Sequence, residues 1–360
     1  MTTPQPRTQT PRLQTIVHAI LLVVMVGYLL VIGQSLLLPI FVAVISVYVL
    51  VSASNSLGNI PVIGQLPAWA RRSIVLLAFV LAVVALTGVV ISTGGQLLAE
   101  IPTYQANLEQ LAERLIATAG FEVPEDWSGV WEATIGQINL QSVATTALGS
   151  LGSLAGVIFL VVIYAMFLMG ERGGFAHKVA IALPGEGGVQ AQSIISDINT
   201  RIGDYLAVKT LINVILASIS YVVMWAFGVD FALFWAIFIG LLNYIPYVGS
   251  LIGVVFPVAL TLAQFGSLQT TAFVLALLAG AQLWVGNFLE PKMIGKRVNL
   301  SPFVVLVSLT LWTSLWGVAG SILAIPLTSI LAIILGHVPA TRPIAVFLAD
   351  DPDQPARGTP

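Results

Sequence analysis

Eight residues able to hold a polar solute or an ion stand within or beside otherwise apolar stretches: Asn213, Asp230, Asn243, Tyr244, Tyr247, Gln282, Asn287 and Glu290. Amides and phenols there offer donors and acceptors to a solute, and a carboxylate can take up a proton or a cation. Ionisable groups at membrane depth are costly and mark substrate or ion pathways. Asn287 and Glu290 are three residues apart, hence neighbours on a helix, and Pro291 then ends that helix beside Lys292. This points to a gate or a coupling-ion ligand; an exposed interfacial ion pair is the simpler alternative.

The run "GLLNYIPYVGS" at 240–250 surrounds Asn243, Tyr244 and Tyr247 with Pro246, Gly249 and Ser250. Pro246 breaks any helix through it, and lipid offers no partner to the backbone groups released. The nearby polar side chains can supply those partners, while Gly249 and Gly253 let another helix approach closely. The competing reading is a tight turn at the membrane surface, with both tyrosines in the interfacial aromatic belt.

Other chemistry finds no support. The chain has no cysteine, and His18, His177 and His337 are scattered. "GEGG" at 185–188 lacks the Lys-Ser/Thr ending of a phosphate-binding loop, and neither HExxH nor G-x-S-x-G occurs. No basic patch points to nucleic acid. The expectation is no catalytic residue, no metal site, no cofactor and no enzyme.

The elements that must position these residues are membrane helices. Of 360 residues, 58% are hydrophobic and 8% charged, too apolar for one soluble core. Residues 1–12 read as a disordered cytoplasmic tail, followed by N-terminal membrane helices over 13–95: a tight pair at 13–32 and 35–53, then a span at 73–93. An acidic insert follows over 96–146, with an amphipathic helix through 118, a break at "GFEVPEDW" and a short helix at 128–146. It is expected outside the cytoplasm. A fourth membrane helix falls within 147–172. The linker at 173–209 carries an apolar stripe from Ile194 to Leu206, read as a helix on the membrane surface. Span five follows at 210–228, and residues 337–360 read as a second cytoplasmic tail.

Two apolar regions, Phe231–Phe265 and Pro302–Gly336, hold 35 residues each. That is ~52 Å as helix against a core of ~30 Å. If the first is a hairpin, the loop with Lys292, Lys296 and Arg297 falls inside, as the positive-inside rule prefers. The second then bends near "TSLWGVAG". Residues 210–265 and 270–336 become a span plus a hairpin in opposite orientations, an inverted repeat of the kind alternating-access transporters use. "GSLIG" at 249–253 and "GSILA" at 320–324, each followed by a proline, Pro257 and Pro326, make Gly320 and Pro326 the counterparts in the second hairpin. The expected fold is therefore all-α and polytopic. It has about eight membrane segments, including two helical hairpins, re-entrant or fully spanning.

At "GVDFALFWAIFIGLLNYIPYVGSLIG" and "FLEPKMIGKRVNLSPFVVLVSLTLWTSLWGVAGSILAIPLT" the sequence resembles the autoinducer-2 exporter (AI-2E) family of bacterial permeases, as does "YLAVKT" at 205–210. The resemblance implies a multi-pass inner-membrane protein with both termini cytoplasmic, forming a homo-oligomer in the lipid bilayer. It implies export of a small polar solute such as the quorum-sensing furanone autoinducer-2, with protons or sodium as the drive. A sodium/proton antiporter using Asp230 or Glu290 is the near alternative; a non-transporting scaffold that recruits partners through the acidic insert is the distant one.

Overall fold

A computed structural model describes residues 13–61, 63–120, 127, 129, 156–171, 178–179, 181–295 and 297–352. Among them every regular element is helical. We number these α1 (Leu13–Ile32), α2 (Gln34–Leu57), α3 (Ala68–Thr118) and α4 (Gly156–Glu171). They continue as α5 (Glu186–Ala226), α6 (Ala232–Leu242), α7 (Val248–Phe265), α8 (Leu268–Ile294), α9 (Pro302–His337) and α10 (Arg342–Leu348). Six of them, α2, α3, α5, α7, α8 and α9, are long and apolar enough to cross a bilayer by length and composition. The chain is an all-helical, multi-pass membrane protein.

Two expected boundaries fall inside single helices. The third span and the amphipathic part of the insert form one 51-residue helix, α3, about 77 Å long. The helix continues through Pro102 and the apolar stripe from Leu97 to Leu115 and ends before Gly120, whose φ is +81°. The linker likewise runs unbroken into span five as the 41-residue α5. The later part of its stripe is covered by protein: Ile202, Tyr205 and Leu206 pack against Ile45, Tyr48 and Val49 of α2 and Ile333 of α9. The tail expected at 337–360 is ordered through 352. There α10 packs on α9, and Asn299 accepts from the backbone N–H groups of Asp350 and Asp351 at 3.1 and 2.8 Å. The tail at 1–12, the short helix at 128–146 apart from Gly129, and the last residues from 353 lie outside the described residues.

Both apolar regions fold as hairpins. In the first, α6 has 11 residues and extends about 16 Å, half the ~30 Å hydrocarbon core and too short to cross it alone. Residues 243–247 form the tip and α7 returns. In the second, α9 breaks at Trp316 and Gly317, where φ is −132° and +60°. Each hairpin closes on a glycine. A Cβ on Gly249 would stand 1.8 Å from the carbonyl oxygen of Leu242, and one on Gly320 would stand 1.9 Å from that of Trp312. No other residue type permits this approach. The first tip packs against both arms of the second hairpin, where Ile245 shares a buried cluster with Leu309 and Ala324.

The hairpins stand on a scaffold of two antiparallel helices. Ile212, Leu216 and Met224 of α5 share a buried core with Val274, Leu278 and Val285 of α8, and with Ala236 and Ile239 of α6. A second core joins α2, α3 and α4 through Ala43, Val47, Val75, Val161 and Ala165. Helix α1 keeps most of its apolar side chains outward, as a lipid-facing helix does.

Candidate functional site

Seven polar side chains meet between α5, the tip of the first hairpin and α8. Lys209 and Glu290 form an ion pair, with side chains only 8% and 24% exposed. Glu290 Oε1 also accepts from Asn243 Nδ2 at 3.2 Å. The same Asn243 nitrogen donates to Asn213 Oδ1 at 2.8 Å, and Gln282 Nε2 donates to Asn243 Oδ1 at 2.9 Å. Thr210 Oγ1 and the Tyr244 hydroxyl lie 2.6 Å apart. Asn243 thus ties the hairpin tip to both scaffold helices. Along α5 the partners run 209 to 213 while along α8 they run 290 to 282, which fixes the two helices as antiparallel.

The arrangement leaves hydrogen-bonding capacity unspent. Asn213 Nδ2 approaches the Tyr244 hydroxyl without completing a hydrogen bond, and Gln282 Oε1 accepts none. A buried donor and a buried acceptor without partners cost roughly 1–3 kcal/mol each. Both are what a hydroxyl- or carbonyl-bearing solute would satisfy. The Lys209–Glu290 pair carries no net charge as long as Glu290 is ionised, so protonating it would leave the ammonium uncompensated.

Of the eight expected binding residues, Asn213, Asn243, Tyr244, Gln282 and Glu290 come together here. Three do not. Asp230 sits just beyond the far end of α5, at least about 25 Å along the helix from Lys209. There it accepts from the Tyr104 hydroxyl at 2.8 Å, and its backbone N–H donates to Gln264 Oε1 at 2.8 Å. Tyr247 is exposed and starts α7 with φ +60°, its carbonyl accepting from the Ser250 hydroxyl at 2.7 Å. Asn287 is exposed because residues Val285–Leu289 form a π turn. The extra residue per turn separates Asn287 from the face of Glu290, so the three-residue spacing does not make them neighbours. Pro291 cannot donate to the carbonyl of Asn287, which loosens the turn at that point. π turns of this kind recur at functional sites.

Lys292 is exposed, and Glu290 pairs with Lys209 across 81 residues. Residues two apart on a helix face different ways, so the expected neighbour points elsewhere. Lys209 was not among the expected binding residues. At the head of an apolar run a lysine reads as a boundary charge, and its burial to 6% exposure follows only from the helix continuing through it. Of the structural residues, Pro246 and Gly249 shape the tip, Gly320 closes the second hairpin, and Pro326 is buried within α9.

The family model of AI-2E family transporters matches residues 19–340. The chain belongs to the AI-2E transporter family. It is 29% identical over 340 residues to the AI-2 transport protein TqsA of Escherichia coli (strain K12), covering 91% of this chain and 95% of that one. It is 30% identical over 299 residues to a Haemophilus influenzae protein named "Putative transport protein", with 80% and 84% covered. A Borreliella burgdorferi protein of the same name is 34% identical over 192 residues, about half of each chain at 52% and 53%. The protein is thus a membrane transporter, and the polar cluster lies between α5, the tip of the first hairpin and α8.

Proposed function

We propose that this transporter exports a small polar solute of the autoinducer-2 type across the bacterial inner membrane, with its termini cytoplasmic, and that the Asn243-centred cluster is its binding site. The observation that carries this reading is the junction itself. One asparagine at a hairpin tip holds α5 and α8 together beside a buried, charge-neutral ion pair. Helices α5 and α8 run antiparallel, and the first tip packs against the arms of the second hairpin. Alternating access in inverted-repeat transporters uses such a frame, with the site at the repeat interface.

In this mechanism the solute's carbonyl accepts from Asn213 Nδ2 and its hydroxyl donates to Gln282 Oε1. A proton reaching Glu290 cancels its charge and weakens its hold on Lys209 and Asn243, which frees the hairpin tip to move. Ion coupling thereby acts on the residue that links the two helices. The name of the Escherichia coli relative supports the choice of autoinducer-2 as first solute.

The test is counterflow of furanone autoinducer-2 in liposomes, beside a panel of small polar solutes. We expect saturable counterflow that Glu290→Gln reduces about tenfold or more. Folded protein that moves none of them would refute the reading. A sodium/proton antiporter would centre on the same carboxylate, because Glu290 is the one in the cluster. Sodium-dependent proton flux in solute-free vesicles, lost in Glu290→Gln, would favour that reading instead.

A further inference from the structure

On the face that loop charge assigns to the cytoplasm lies a cavity of about 80 Å³. Arg201 of α5, Arg297 of the loop after α8 and Arg342 in the first turn of α10 all line it. Its lining residues include no acid. Arg297 and Arg342 stand exposed, while Ser329 of α9 is 6% exposed and its hydroxyl makes no hydrogen bond. A buried hydroxyl without a partner, lining a cavity of that size, is an unmet demand for a ligand. The volume is about five times the ~15 Å³ that one water requires.

We propose that this cavity binds a phosphate-type oxyanion. The exposed guanidinium groups of Arg297 and Arg342, from two separate segments, match a tetrahedral anion with several free oxygens better than a planar carboxylate, which one arginine fork can satisfy. Arg201, which already has a partner, adds positive charge beside them. The Ser329 hydroxyl supplies one more donor. Arg297 already spends Nη1 on the carbonyls of Met293 and Ile294, at the end of α8, so a ligand on its remaining N–H groups would also bear on that helix end. Asp350 and Asp351 follow α10 nearby, and the anion must compete with them for the arginines.

The position gives the site its consequence. Ile202 and Ile333 line the cavity and belong to the same buried cluster as Tyr205 and Leu206, and Lys209 lies eight residues, about 12 Å, beyond Arg201 along α5. An anion here would bind α5, the loop after α8, α9 and α10 to one another, on the elements that carry the polar junction. The phosphate can come from the headgroup of an acidic phospholipid or from a soluble phosphate compound.

The experiment measures binding and needs no transport. The full chain in neutral detergent is compared with Arg297→Gln/Arg342→Gln, Arg297→Lys/Arg342→Lys and Ser329→Ala. Inorganic phosphate is titrated against chloride at equal ionic strength, with melting temperature as the readout. In parallel, retention of phosphatidylglycerol against phosphatidylcholine is counted by native mass spectrometry. The Gln pair is expected to weaken binding about tenfold or more, and the Ser329 variant a few-fold. The Lys pair should fall between, since it keeps charge and loses the planar forks. A phosphate response identifies a soluble ligand; phosphatidylglycerol retention alone identifies a lipid. No specific binding of either probe, or binding unchanged in the Gln pair, overturns the proposal. Lys variants that equal the native chain reduce the site to general charge and overturn it equally.

Discussion

The two hairpins share a backbone device and differ in what their tips carry. Both close through a glycine seated against a carbonyl of the preceding arm, Gly249 on Leu242 and Gly320 on Trp312. The first tip is polar and bonds to both scaffold helices through Asn243 and Tyr244. The second is aromatic. Trp312 Nε1 donates to Thr328 Oγ1 at 3.0 Å within the hairpin, and Trp316 Nε1 donates to the carbonyl of Leu30 in α1 at 3.0 Å. Trp316 also packs on Phe41 of α2, with ring centroids 5.4 Å apart. The comparison separates architecture from chemistry. Close glycine packing belongs to both hairpins, while hydrogen bonds to α5 and α8 belong to the tip of the first.

The largest expected effect tests the shared part. Gly249→Val and Gly320→Val each drive a side chain into backbone less than 2 Å away. Each should cost about 3 kcal/mol or more and lose the monodisperse peak in size-exclusion chromatography. A mild effect at one glycine and a severe one at the other would break the equivalence of the hairpins. Next comes the ion pair. Lys209→Met or Glu290→Leu alone leaves a buried charge without its partner, at about 3–5 kcal/mol. The double variant should recover much of the melting temperature and none of the transport. If transport also returned, the pair would be structural only.

Smaller effects distinguish the tips. Asn243→Leu removes hydrogen bonds to Asn213, Gln282 and Glu290 and should cut counterflow about tenfold or more, whereas Thr328→Val removes one bond, worth about 0.5–1.5 kcal/mol, and should leave counterflow within about twofold. The smallest change is expected from Tyr104→Phe, which frees Asp230 from a hydroxyl far from the cluster. Thermal stability should fall by about 1 kcal/mol with counterflow retained. Loss of sodium-dependent flux in that variant would return Asp230 to the candidate site.

Much of this frame was legible in the sequence because it follows from length and charge. Thirty-five apolar residues followed by a basic loop dictate a hairpin, and the paired "GSLIG" and "GSILA" stretches marked the two closing glycines. Asn243, Tyr244 and Glu290 drew notice as polar groups that lipid cannot satisfy. What stayed hidden depends on tertiary contact or on helix phase. The partner of Glu290 lies 81 residues away on another helix, and no local pattern names it. The π turn at Val285–Leu289 rotates Asn287 away by inserting one residue per turn, and only Pro291 hints at it. The long reach of α3 was obscured by its change from apolar to acidic surface, which alters the solvent around a helix without ending it. That reach lets Asn107 donate to the carbonyls of Ala263 and Gln264, at 3.1 and 2.7 Å, at the end of α7.

The most direct test sets one tip against the other in the same assay. Counterflow of autoinducer-2 is measured for Asn243→Leu and Thr328→Val in liposomes holding equal amounts of folded protein. The account predicts a loss of about tenfold or more in the first and near-native rates in the second. Near-native rates in Asn243→Leu, or equal loss in both, would contradict the assignment of transport to the polar tip of the first hairpin.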